Sequence, residues 1–85
     1  MDENLQKLKE CFYKLFGDAY LHDCFIEIDS SEDEVILAAN REGMLLLIEE
    51  LISLCEKNET YQHYHLDEAG MANKCNKPMI IQFVK

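Results

Sequence analysis

Apolar and polar positions along the chain fall into six stretches with two periodicities. Between residues 3 and 16, Leu5, Leu8, Phe12 and Leu15 recur every three to four positions. Cys11 and Phe16 widen that stripe, and Lys7, Lys9, Glu10 and Lys14 take the other side. The spacing predicts an amphipathic helix over 3–16, stopped at Gly17-Asp18, where glycine can take the left-handed conformation that ends many helices. From Cys24 to Asp29 the pattern alternates, with Cys24, Ile26 and Ile28 on one face and Phe25, Glu27 and Asp29 on the other. A polar turn over 30–34 and the apolar run Val35–Ala39 complete a β-hairpin over 24–39 with an acidic tip.

Asn40 is a good N-cap, and Glu42 stands in a first turn where the helix dipole favours an acid. Met44, Leu47, Ile48, Leu51, Leu54 and Cys55 then form a stripe at helical spacing, predicting a main helix over 41–57 that ends at Lys57-Asn58. Leu45, Leu46 and Ile52 lie off that stripe, so the helix is expected to be contacted on more than one side, by the sheet and by the first helix. Residues 60–67 read as a strand and 68–78, with Gly70 and Asn76-Lys77-Pro78, as a polar connection. Residues 79–84 form a closing apolar strand.

The order α-β-β-α-β-β predicts an α+β fold, a two-layer sandwich of two helices on a mostly antiparallel four-stranded sheet. Eighty-five residues, 48% of them hydrophobic, with one proline and three glycines, suit a single globular domain over 1–85. The longest apolar run, Met44–Ile48, is too short to cross a bilayer. The start Met1-Asp2-Glu3-Asn4 lacks the apolar core of a leader, so a cytoplasmic location is expected. Cys11, Cys24, Cys55 and Cys75 show no Cys-x-x-Cys spacing, which argues for reduced thiols rather than structural zinc.

Charge sharpens the picture. Seventeen acids against eight bases give a net charge of −9, unsuited to direct contact with nucleic acid or an anionic membrane and suited to a basic protein surface. No base interrupts Asp18, Asp23, Glu27, Asp29, Glu32, Asp33 and Glu34. The plain alternative is a solvated acidic surface that aids solubility.

The densest chemistry is Tyr61-Gln62-His63-Tyr64-His65-Leu66-Asp67. Histidines at i and i+2 cannot share a helix face but do share a strand face. A metal site, a catalytic pair and a polar outer strand face all use such a pattern. Catalytic zinc takes three protein ligands, and Asp67 lies roughly 13 Å from His63 along an extended strand, too far to be the third. No metal or cofactor is therefore expected. The chain has no Gly-x-Ser-x-Gly, no phosphate-binding glycine loop and no His-Glu-x-x-His. A pairing of Cys75 or Cys24 with a histidine is formally possible. Yet so small a chain has little room for a substrate cavity, typically ~300–1,000 Å³, and no enzymatic activity is expected.

With Leu66 taken as core, Tyr61, His63, His65 and Asp67 face outward together with Phe25, Glu27 and Asp29, beside the acidic tip of Glu32, Asp33 and Glu34. Aromatics mixed with charges suit a protein interface. The competing readings are a solvated face and a face covered by the N-terminal helix.

The run Asn40-Arg41-Glu42-Gly43-Met44-Leu45-Leu46-Leu47, then His63-Tyr64-His65-Leu66-Asp67, then Pro78-Met79-Ile80-Ile81, resembles a family of small bacterial immunity proteins of polymorphic-toxin systems, immunity protein thirty-two. The resemblance covers roughly residues 24–84, and the His-x-His-Leu-Asp pentapeptide is its most specific part. It implies a cytosolic antidote that binds and blocks a cognate toxin without catalysis, and an acidic antidote suits a basic toxin such as a nuclease. The alternative is a small structural or regulatory module that self-associates, as a homodimer, through the same sheet face or an edge strand.

Overall fold

The computed structural model describes residues 3–18, 21–70 and 72–85, so Met1 and Asp2 lie outside the described residues. Helix α1 spans Glu3–Phe16, strands β1 and β2 span Ile26–Ser30 and Val35–Ala39, and helix α2 spans Arg41–Lys57. Strands β3 (His63–Leu66), β4 (Lys74–Cys75) and β5 (Met79–Gln82) complete the chain. The α+β class is the one that the alternation of periodicities predicts.

The expected single four-stranded sheet is replaced by two sheets, one of three strands in the order β2-β1-β4 and one of two, β3-β5. The cause lies in the segment 68–78, read from its polarity as a plain connection. Its Lys74 and Cys75 pair parallel to Glu27 and Ile28 and so occupy the free edge of β1. Asn73 N–H donates to Ile26 O at 2.8 Å and Asn76 N–H to Ile28 O at 3.2 Å, extending that pairing at both ends. With β1 flanked on both sides, β3 and β5 pair antiparallel with each other, His65 opposite Ile80 and Leu66 opposite Met79.

Capping fixes where each helix stops. Gly17, at φ 59°, donates to Tyr13 O and closes α1. The Asn40 side chain accepts from Gly43 N–H at 2.7 Å, and Asn58, left-handed at φ 50°, donates to Leu54 O.

The core joins α1, α2 and both sheets: Phe12, Leu46, Leu47, Ile26, Ile28, Leu66 and Ala72 form one buried cluster. In α2 the burial departs from the expected stripe. Leu46, Leu47, Ile52 and Leu54 are buried, but Met44, Ile48 and Leu51 are each more than 40% exposed, and Cys55 is exposed too. Two neighbours on different sides of α2 explain this. The sheets take the side of Leu46 and Leu47, and α1 lies on another side, where Lys9 Nζ reaches Glu56 at 2.7 Å and Tyr13 Oη donates to Glu49 at 2.9 Å. The middle of the apolar stripe falls between them and stays uncovered. In α1, likewise, only Phe12 is buried, while Leu8 and Leu15 face solvent.

Candidate functional site

Strand pleating sends alternate residues of β3 to opposite sides, and the structure follows it. Leu66 is fully buried and Tyr64 half-buried on the inner side, whereas His63 and His65 are exposed. Their imidazoles meet edge to face with centroids 4.7 Å apart and Nε2 atoms 3.0 Å apart. His63 Nδ1 lies 3.0 Å from Tyr61 O. A carbonyl only accepts, so for a neutral imidazole the geometry assigns the His63 proton to Nδ1 and leaves its Nε2 to accept from Nε2–H of His65. Tyr61, which supplies the carbonyl, has a left-handed backbone (φ 71°) and a side chain 69% exposed.

Asp67 does not join this pair. Its Oδ1 accepts from Gly70 N–H at 2.8 Å, and its backbone carbonyl accepts from Gly70 and Ala72, so it organises the turn after β3. Among the described residues no group of three or more His, Cys, Asp or Glu side chains is placed to hold a metal ion together.

On β1, Glu27 is half-buried and Asp29 exposed, opposite Ala38 and Ile36 of β2 on the outer face, and Phe25 is half-buried just before the strand. These residues belong to the three-stranded sheet and the histidines to the two-stranded one, so no hydrogen-bonded ladder makes the two groups one continuous face. Glu32, Asp33 and Glu34 stand exposed at the hairpin tip, where Ser31 N–H bonds Glu34 O at 2.8 Å. Among the described residues no ion pair reaches these three acids; the pairs there are Lys7–Glu3, Lys9–Glu56 and Arg41–Glu42.

Beside that tip lies a cleft of about 230 Å³ lined by Ile28, Ser30, Val35, Lys77, Pro78 and Met79. Val35 and Ser30 are paired at the end of the hairpin, and Val35 remains 59% exposed. The opposite wall comes from the segment joining β4 to β5. Sequence reading missed this cleft because it rests on the β1–β4 pairing, and two strand residues leave no periodicity to detect. The apolar Pro78-Met79 after a polar segment was the available signal.

The perturbed acidities lie on the inner side and between the helices. Burial first, and then the negative charge of Glu50, push the Tyr64 phenol up to about 12. The Glu50 carboxyl is itself raised, by burial and then by Glu49. The hydrogen bond to Glu56 raises Lys9, and the bond to Glu49 raises Tyr13.

Against known families, residues 34–84 match Immunity protein 32, more than half of the chain. The chain belongs to the Immunity protein 32 family. The matched range begins at the last acid of the hairpin tip and takes in β2, α2 and β3 to β5. Helix α1 and strand β1, with Phe25, Glu27 and Asp29, lie before it, as do Glu32 and Asp33. No curated protein and no solved structure matches the chain. No described helix is long and apolar enough to cross a membrane.

Proposed function

We propose that this immunity-family chain is an antidote that binds a cognate toxin protein and neutralises it without catalysis. The observation that carries the reading is the family match over 34–84, which includes the whole main helix and the His-x-His strand. The contact surface comprises the acidic tip of Glu32, Asp33 and Glu34, the outer positions Phe25, Glu27 and Asp29, and Tyr61, His63, His65 and Asp67. A toxin with a basic surface, such as a nuclease, suits three exposed acids that have no ion partner among the described residues and a net charge of −9. The apolar cleft next to the tip gives such a contact a place to bury one partner side chain inside a charged rim, the arrangement in which binding energy concentrates. Action in the cytoplasm of the cell that makes the toxin belongs to the same reading.

The test is a binding measurement with the protein encoded beside this one in a toxin locus. The antidote reading predicts a stable complex and loss of the toxin's activity at equimolar ratio. A neighbour that neither binds nor is inhibited removes the reading. A tight homodimer by light scattering, burying the His-x-His face, would favour the self-associating module instead.

A further inference from the structure

The His63–His65 pair offers more than a contact between neighbours on one face of β3. Two imidazole nitrogens that ligate one ion at 2.0–2.1 Å stand about 2.9 Å apart when they subtend a right angle, and about 3.3 Å at the tetrahedral angle. The Nε2 atoms here stand 3.0 Å apart, close to the right-angle value, on solvent-exposed rings. His63 also has the outer-shell bond typical of a metal-ligating histidine: its other ring nitrogen donates to a backbone carbonyl, fixing the tautomer and aiming the lone pair. That carbonyl belongs to Tyr61, which holds a left-handed backbone while its side chain gains little burial in return.

We propose that His63 and His65 form a two-nitrogen chelate for a divalent late transition-metal ion, with Ni²⁺ and Cu²⁺ preferred over Zn²⁺. Binding requires no ionisation. His65 moves its proton from Nε2 to Nδ1, and the ion takes the place of the proton between the two Nε2 atoms. The preference follows from geometry and from the ligand series, since a right angle suits square-planar and octahedral ions, and imidazole favours Cu²⁺ and Ni²⁺. Asp67 is committed to Gly70, so the remaining coordination positions belong to water. This site stands independently of the toxin-binding reading.

The experiment is titration of the full chain with NiCl₂ by calorimetry. One site per chain is expected, and His63→Ala or His65→Ala weakens it at least about tenfold, the scale on which loss of a mere outer-shell partner already acts. His22→Ala, on an exposed residue outside the pair, leaves it unchanged. Both strand histidines are exposed, so circular dichroism of the variants should match the parent. A second measurement needs no variant: paramagnetic Ni²⁺ or Cu²⁺ should broaden the NMR signals of His63, His65 and their cross-strand partners Gln82 and Ile80 before those of α1. Equal affinity in the parent and the double variant, loss of the site in His22→Ala, or broadening centred elsewhere would each overturn the assignment.

Discussion

Asn76 pairs with Ser30 through its side chain as a strand residue would through its backbone. Its Oδ1 accepts from Ser30 N–H at 2.8 Å, and its Nδ2 donates to Ser30 O at 3.0 Å. The same Nδ2 lies 3.2 Å from Asp29 Oδ1. One amide thus fastens the β4–β5 segment to the end of β1 and shapes the cleft beside the acidic tip. Asn76→Ala should lower stability by about 1–2 kcal/mol, the cost of bonds removed where water can partly replace them. Asn76→Asp should cost at least as much, because it loses both donations and sets a carboxylate beside Asp29. Urea unfolding, with an unchanged m-value and a lower midpoint, checks both.

Gly43 sits in the first turn of α2, where helix propensity alone would favour alanine by about 1 kcal/mol. A Cβ there would stand 2.4 Å from Phe25 O and 3.0 Å from the Ala39 Cβ. The backbone oxygen cannot give way cheaply, because it accepts from Asn40 N–H at 3.1 Å. Gly43→Ala should therefore destabilise, by about 1–3 kcal/mol as overpacking usually does. Asn40→Ala should cost about 1–2 kcal/mol, since the side chain caps Gly43 and also accepts from Phe25 N–H at 2.9 Å. Thermal unfolding of the two variants decides it; an Asn40→Ala protein as stable as the parent would contradict the assigned cap.

The elements whose signals are local were legible in the sequence. Asn40 marks the start of α2, Gly17 the end of α1, and the alternation about Ile26, Ile28 and Leu66 marks the inner faces of β1 and β3. What escaped depends on pairing between distant segments. Lys74 and Cys75 become a strand only because the edge of β1 is open to them, and that one pairing divides the expected single sheet in two. Contact of α2 by both the sheet and α1 was legible from Leu46 and Ile52 off the stripe, but which stripe positions that leaves uncovered, Met44, Ile48 and Leu51, was not. A helix packed on two sides buries the flanks of its stripe. The two histidines were correctly placed on one outer strand face, but the left-handed turn at Tyr61 that aims His63 has no sequence signature short of glycine or asparagine.

Tyr64 carries a hydroxyl buried without a hydrogen-bond partner among the described residues. Its pKa is pushed up to about 12 from 10, by burial first and by Glu50 next. A raised folded-state value means that the folded protein keeps a proton which the unfolded chain releases near pH 10. Stability is therefore unaffected below pH 10 and falls as pH climbs from 10 to 12. Tyr64→Phe should flatten that fall, leaving the smaller slope from Tyr13 and Lys9, whose pKa values are raised in the same direction. At neutral pH the variant should be more stable by about 1 kcal/mol, because an unpaired buried hydroxyl is gone. Chemical denaturation at pH 7 and pH 11 separates the two effects, and a parent that unfolds identically at both would refute the assignment.

The hairpin tip tests whether charge guides the toxin. Glu32, Asp33 and Glu34 are exposed and form no ion pair among the described residues, so replacing all three with lysine should change folding stability by no more than about 0.5 kcal/mol for each position. The association rate with a basic toxin should respond far more. Steering by opposite charge raises on-rates by one or more powers of ten and is screened over about 10 Å at 0.1 M salt. Stopped-flow binding should show a parent rate that falls steeply between low and high salt, and a variant rate about tenfold lower that no longer falls. Dissociation should change less, since rim charges act mainly on encounter, whereas retention is the role proposed for the apolar cleft of Val35, Pro78 and Met79. Filling that cleft with Val35→Phe should show the reverse pattern, a faster off-rate at nearly constant on-rate. If both substitutions left both rates at the parent values, the toxin would dock elsewhere on the molecule.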